Sequence, residues 1–164
     1  SYYFHACVAA EIQRNVKVQD KLKIRQIKVD SKEYYEELKL RDEVLRKPLK
    51  LSLFDENLDS EKYDFHIGVF LNNLLVGVLI LTPLNNSEIK MRQVAIHESF
   101  RGKGIGTKLV IYAEEYAKNL GCKIIILNSR KTAVEFYEKL GYTKVSEEFI
   151  EVTIPHYKMQ KMIG

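Results

Sequence analysis

The chain has 164 residues, 46% of them apolar and 29% charged, which suits one globular domain with a sizeable core. Its 26 basic and 22 acidic residues leave a net charge of +4, interspersed along the chain; this favours an anionic ligand and argues against a nucleic-acid-binding surface. The 2 cysteines form neither a disulfide framework nor a zinc motif and fit a reducing cytoplasm. No apolar run approaches the roughly 20 residues that span a bilayer.

Residues 1–20 show only a broken helical pattern and are expected to be a leader or a variable extension without a function, ahead of one domain over 21–164. The stretch 22–29 alternates Leu22, Ile24 and Ile27 with basic residues and predicts a strand. Asp30 or Ser31 then stands as an N-cap, and Tyr35, Leu38, Val44 and Leu45 recur at helical spacing, so a helix is expected over 31–46. Pro48 ends it, and the mixed, polar 49–63 reads as a surface loop or short irregular helix.

Three strands follow at 63–71, 74–83 and 87–97, joined by Asn72-Asn73 and by Leu84-Asn85-Asn86, turn chemistry that makes antiparallel neighbours. A helix over 104–120 places Leu109, Val110, Tyr112, Ala113, Tyr116 and Ala117 on one face and closes at Gly121. The wholly apolar Ile124-Ile125-Ile126-Leu127 predicts a strand covered on both faces, then a helix over 131–140 ends at Gly141. The rest alternates as a closing pair of strands. The predicted order is β, α, three β, α, β, α, two β.

Between the third meander strand and the long helix lies Arg101-Gly-Lys-Gly-Ile-Gly106, with Thr107 and Lys108 after it. Glycines at a strand-to-helix junction allow close backbone approach, the helix start offers N–H groups, and the basic residues add charge, all requirements of a phosphate or pyrophosphate seat. Two familiar phosphate motifs fail against it. A P-loop needs Gly-Lys-Ser/Thr, whereas Thr and Lys follow Gly106 in the opposite order. A dinucleotide fingerprint needs GxGxxG after a strand that opens a βαβ unit, whereas these glycines run GxGxG after a meander.

The pattern R-G-x-G-I-G closely resembles the coenzyme A pyrophosphate loop of the GNAT superfamily of N-acetyltransferases. About 27 residues on, Ala133, Phe136, Tyr137, Leu140, Gly141 and Tyr142 match that family's second signature, A-x-x-F-Y-x-x-L-G-F, and the likeness covers roughly 22–162. The stretches "LNSRKTAVEFYEKLGY" and "FIEVTIPHYKMQK", with "RDEVLRKPL" earlier, most resemble a bacterial subgroup of predicted acetyltransferases.

The resemblance implies an α+β fold: a mixed, mostly antiparallel sheet of about seven strands, flanked by helices, in which the strand "QVAI" and the strand "KIIIL" splay apart. It implies acetyl-CoA as cofactor, contacted by main chain of Val94, Ala95 and Ile96, by Arg101, Gly102, Lys103, Gly104, Ile105, Gly106 and Thr107, and by Asn128, Ala133 and Phe136. Tyr137 is expected beside the thioester sulfur as general acid, because a phenol can donate to a departing thiolate where Phe cannot. The implied reaction is transfer of an acetyl group to a primary amine of a small molecule or peptide by direct attack. Arg46, Arg92 and His156 are expected toward that acceptor, with Arg41 also facing the cleft; the simpler roles are a turn residue for His156 and solvated helix charges for Arg41 and Arg46. No carboxylate of the third meander strand stands in an obvious place for a base; Glu88, Glu98, His66, His97 and His156 are the alternatives. A noncatalytic acyl-CoA sensor of the same fold is the competing reading. No metal, nucleic acid or membrane is expected, and a homodimer is left open.

Overall fold

The computed structural model describes residues 21–164; the expected leader or extension lies outside the described residues. Its strands are β1 (Leu22–Ile27), β2 (Phe65–Leu71), β3 (Leu74–Pro83), β4 (Glu88–Ile96), β5 (Ile124–Arg130), β6 (Thr143–Lys144), β7 (Phe149–Glu151) and β8 (Ile154–Met162), and its helices α1 (Lys32–Leu45), α2 (Ile105–Asn119) and α3 (Val134–Lys139). They build one sheet in the order β1-β2-β3-β4-β5-β8-β6, with β7 paired to β8. All pairings are antiparallel except β4 with β5.

Local chemistry explains the elements. Ser31 caps α1 by accepting from the Tyr34 N–H at 3.3 Å, leaving Asp30 outside. Asn72 and Asn73, with φ of 49° and 66°, make the two-residue hairpin turn whose twist suits antiparallel strands. Gly121 and Gly141 adopt positive φ just past α2 and α3, the left-handed stop that L side chains resist.

Two departures from expectation have physical causes. The expected closing strand pair is three strands, because Val152 and Thr153 turn with φ of 49° and 68° between β7 and β8 without Gly or Asn to announce it. Residues 47–63 hold three single-turn 3₁₀ helices, Lys47–Leu49, Leu53–Asp55 and Asp59–Tyr63.

The two faces of the sheet differ in chemistry. On one, α2 and α3 cover the main core, which includes Ile67, Val69, Leu79, Met91, Leu109, Leu127 and Met159. On the other, α1 packs a small apolar cluster of Ile27, Leu40, Phe70, Leu75 and Val78, and beside it buries Glu37, Arg41 and Asp42. The helical face expected from Tyr35 and Leu38 is therefore rotated: Tyr35 is exposed and charged residues point inward. On α2, likewise, Tyr112 is exposed while Glu114 is buried against Tyr142 and Lys161.

Candidate active site

The site begins with a fault in the sheet. β4 pairs with β5 only from Glu88–Ile124 to Met91–Leu127, although β4 continues to Ile96 and β5 to Arg130. On its other side β4 carries one extra residue against β3, since Val78 faces Ala95 while Ile80 faces Arg92. Gln93 sits in that bulge at φ 53°. The bulge bends β4 away from β5, so the two strands fork and the β5-facing main-chain groups of Arg92–Ile96 have no strand partner.

At the open end of the fork stands the glycine turn. Gly102 and Gly104 have φ of 75° and 77°, and a Cβ at either would meet nothing within 4 Å, so both face open space. Gly104 is the N-cap of α2 and supplies no side-chain acceptor. The N–H groups of Ile105, Gly106 and Thr107 therefore lack intrahelical partners and carry the positive end of the helix. Arg101, Lys103 and Lys108 are exposed around them. Gly106 is needed for a different reason: a Cβ there would lie 3.4 Å from Phe136, which packs against the turn.

Phe136 and Tyr137 approach from α3 on the α2 side, with Ala133 at that helix's N-cap. The Tyr137 ring is 5.0 Å from that of Phe136 and 5.7 Å from that of Tyr142, both edge-on. Tyr137 is 6% exposed, and burial pushes its phenol well above the ordinary value. Its hydroxyl has no hydrogen-bond partner among the described residues, and no buried polar side-chain atom lacks one, so the hydroxyl reaches solvent. Val94 and Ile96 pack their side chains into the α2-side core, leaving their main chain on the fork.

On the α1 side the bulge is tied to a buried charge network. Arg41, 1% exposed, donates to Glu61 at 2.8 and 2.7 Å, to Glu37 at 2.8 Å and from Nε to the Gln93 side-chain oxygen at 3.3 Å. Tyr34 donates to Glu61 at 2.7 Å. His66, wholly buried, directs Nδ1 at Glu37 (2.8 Å) and Nε2 at the Glu61 carbonyl (2.8 Å). Both partners only accept, so both ring nitrogens donate and His66 is an imidazolium. Burial opposes that charge, but the hydrogen bond and charge of Glu37 outweigh it and the His66 pKa is raised. Glu61 is opposed by burial in the same way and held below its ordinary value by Arg41. Two carboxylates and two cations thus balance. Glu37, Glu61 and His66 have a geometry that a metal ion could use, but Arg41 already supplies the cation there.

A second polar group lies across the fork. Asn128, the first β5 residue past the pairing, turns to the α1 side, and its amide donates to Glu151 at 3.1 Å. His156 Nδ1 donates to the Ile154 carbonyl at 2.9 Å, its ring stacks on Phe149, and Nε2 stands 3.7 Å from the other Glu151 oxygen.

Several expected residues take other roles. His66 cannot serve as a base, having no free lone pair. Glu88 is at the closed end of the β4–β5 pairing. His97 accepts from the Ser99 N–H in the 3₁₀ turn after β4, and Glu98 is exposed beside it. Arg46 is not solvated but buried, bonded to Glu56 and to the Leu45 carbonyl. It lines a cavity of about 570 Å³ with Lys50, Asp55, Glu56 and Val152. Arg92 bonds Thr82 at 3.3 Å and faces Asp64 at 3.7 Å. Arg130 caps α1 through the Leu45 carbonyl at 2.9 Å. Glu151 escaped the sequence reading because nothing in "EEFIEV" marks which acidic residue turns inward.

A forked sheet with an uncapped glycine turn at its mouth and a phenol opening beside it has the shape and donors to seat an extended, anionic-headed ligand along the unpaired strand. The model of the acetyltransferase (GNAT) family matches residues 24–142, and the chain belongs to that family. The uncharacterized N-acetyltransferase YjcF of Bacillus subtilis is 31% identical over 123 residues, 74% of this chain and 87% of that protein. Another B. subtilis relative, BSU40680, is 34% identical over 96 residues, 58% of this chain but only 65% of its own length. Among solved structures, Escherichia coli ElaA superposes with a TM-score of 0.73 at 20% identity, covering 85% of this chain and 99% of that one. A GNAT family acetyltransferase from Elizabethkingia anophelis with acetyl-CoA bound gives 0.66 at 19%, covering 87% and 99%. These likenesses establish the fold.

Proposed function

We propose that the chain is an acetyl-CoA-dependent N-acetyltransferase that acts on a primary amine of a small molecule or peptide by direct attack. The observation that carries this is the fork: unpaired β4 main chain on one side, uncapped helix N–H groups at its mouth and the free Tyr137 hydroxyl beside it.

The residues fit the cofactor. Gly102–Thr107 offer N–H groups and empty space to a diphosphate, with Arg101 and Lys103 adding charge. Main chain of Val94, Ala95 and Ile96 offers donors and acceptors to an amide-bearing arm, which would pair as a strand does. Ala133 and Phe136 wall the same side. Bound acetyl-CoA supplies a thioester, whose carbonyl carbon takes the amine and whose sulfur leaves as a thiolate. Tyr137 stays protonated at neutral pH and donates to that sulfur. The α1 side of the fork, reached through residues 46–62 and 146–156, receives the acceptor.

Thiol release from acetyl-CoA across a panel of amines, with CoA affinity measured by calorimetry, tests the reading. Turnover with at least one primary amine is the expected result. Bound CoA without turnover on any amine would support a noncatalytic acyl-CoA sensor, and absence of CoA binding would remove both readings.

A further inference from the structure

We propose that His156 and Glu151 form the slot that binds the acceptor's ammonium group and takes its proton. This rests on the acetyltransferase reading and names the acceptor's chemistry at that same site: a primary, positively charged amine.

Three observations converge. The slot is at the fork, since Glu151 is bonded to Asn128, the first β5 residue beyond the β4 pairing. It is on the side away from Tyr137. Leu127 and Met159 face the α2-side core, so Asn128 and His156, of opposite parity on the paired strands β5 and β8, face α1. It also holds an unused acceptor. His156 is 4% exposed, and its Nδ1–H is spent on the Ile154 carbonyl. In the neutral ring that bond leaves the lone pair on Nε2. Among the described residues Nε2 has no hydrogen-bond partner, and because no buried polar side-chain atom is left without one, it opens to solvent.

In that form two acceptors, Nε2 and a carboxylate oxygen, face one another at 3.7 Å, with no donor of the described residues between them. A primary ammonium has three N–H donors and one positive charge, the complement of that pair. The neighbouring groups are unsuited to the task. Arg41, Arg46, Arg92 and Arg130 are cations, and Glu37, Glu61 and Asp42 are engaged inside the protein.

The balance of the step is simple. The acceptor ammonium passes one proton to His156 Nε2, from which it leaves to solvent, and the freed lone pair forms the new C–N bond; the second nitrogen proton, lost as the amide forms, passes through solvent to restore the Tyr137 phenol once that has protonated the sulfur. The C–S bond breaks, and the sulfur takes a proton from Tyr137. Glu151 offsets the imidazolium that results. The charged groups beside His156 are Glu151 on β7, Arg130 opposite it on β5 and Lys158 farther along β8.

Two independent measurements test this. The first uses the ligand-free wild-type protein and the ring ¹⁵N and ¹H resonances of His156, titrated with butylammonium chloride and then tetramethylammonium chloride. Butylammonium is expected to shift the Nε2 signal saturably and tetramethylammonium, which has no N–H, to leave it unmoved. Equal response to both, or none to either, overturns the slot. The second compares variants on an alkylamine and on an arylamine, whose nitrogen is already neutral at pH 7. His156→Gln should lower kcat/KM for the alkylamine about 10²-fold or more. The arylamine rate should fall at least tenfold less, and CoA affinity should not change. Glu151→Gln, which keeps a partner for Asn128, should raise KM for the alkylamine more than it lowers kcat. A His156→Gln variant that loses no more rate on the alkylamine than on the arylamine overturns the proposal while leaving the transferase reading intact; a wild type that binds no CoA breaks the transferase reading, and the ring titration still judges the slot.

Discussion

Arg41→Met isolates what the buried charge network contributes. The guanidinium is 1% exposed and spends its donors on Glu61, Glu37 and Gln93, so its removal leaves two buried carboxylates facing one imidazolium. Breaking a buried ion pair from one side costs about 3–5 kcal/mol, a fifth or more of the roughly 5–15 kcal/mol that holds a domain together. The uncompensated negative charge is relieved when a carboxylate takes up a proton, so the loss should shrink by about 1 kcal/mol or more between pH 7 and pH 5. Urea unfolding at both pH values reads this as a shift in midpoint with unchanged slope. Glu61→Gln in the same chain should return part of the loss, by about 0.5–3 kcal/mol, because the two residues share one set of bonds. The half-exposed pair Arg25–Glu33 is the control, and Arg25→Met should cost less than about 1 kcal/mol. An Arg41→Met loss under about 1 kcal/mol, or one equal at both pH values, would refute the argument.

Other outcomes follow from the same geometry. Gly104→Asp should fold, since its Cβ meets nothing and Asp tolerates a left-handed N-cap, yet its charge beside the helix end should abolish CoA binding; Gly104→Ala, at about 1–3 kcal/mol of strain, should keep most of it. Calorimetry separates the two, and an Asp variant with unchanged affinity would break the loop assignment. Tyr137→Phe should leave the melting temperature and CoA affinity alone, its hydroxyl having no partner among the described residues, while turnover falls about tenfold or more. Tyr142→Phe should do the reverse, costing about 1–3 kcal/mol of stability through the lost 2.8 Å bond to buried Glu114. Because the fold raises the His66 pKa, its contribution is complete below the unfolded value of about 6.5 and fades as pH climbs through the raised one. Melting temperatures should therefore decline between pH 6 and pH 9, and His66→Gln should flatten that decline.

The α2-side half of the site was legible because it is local. Three glycines, a helix start and the Ala133–Tyr142 signature lie within short stretches whose conformations their own residues dictate. The α1 side was not, because its partners come from distant segments. Glu37 and Arg41 lie four residues apart on α1, a spacing that says nothing of burial by itself; only the arrival of Glu61 from a 3₁₀ turn and His66 from β2 makes them interior. Their charges break the helical periodicity that would show which face of α1 is buried, so the spacing turns Tyr35 inward and leaves Arg41 open between the cleft and solvent. The β7–β8 turn at Val152–Thr153 carries none of the residues that usually mark one, which hid both the third closing strand and the position of Glu151.

The bulge at Gln93 acts on parity. Before it, Ile89 and Met91 face the α2 side; after it, Val94 and Ile96 do, so one supernumerary residue exchanges the odd and even faces of β4 midway. Deleting that residue would restore uninterrupted alternation only by turning Val94 and Ile96 toward Arg41 or by sliding the remainder of the strand one place along β3. The glycine turn is carried on the same length of chain, so either adjustment would re-aim α2 as well. A single position in the middle of the sheet thereby sets the distance and direction between the glycine turn and the α1 side of the fork, and insertions or deletions in β4 should be far less tolerated than those in the 3₁₀ segment at 47–63.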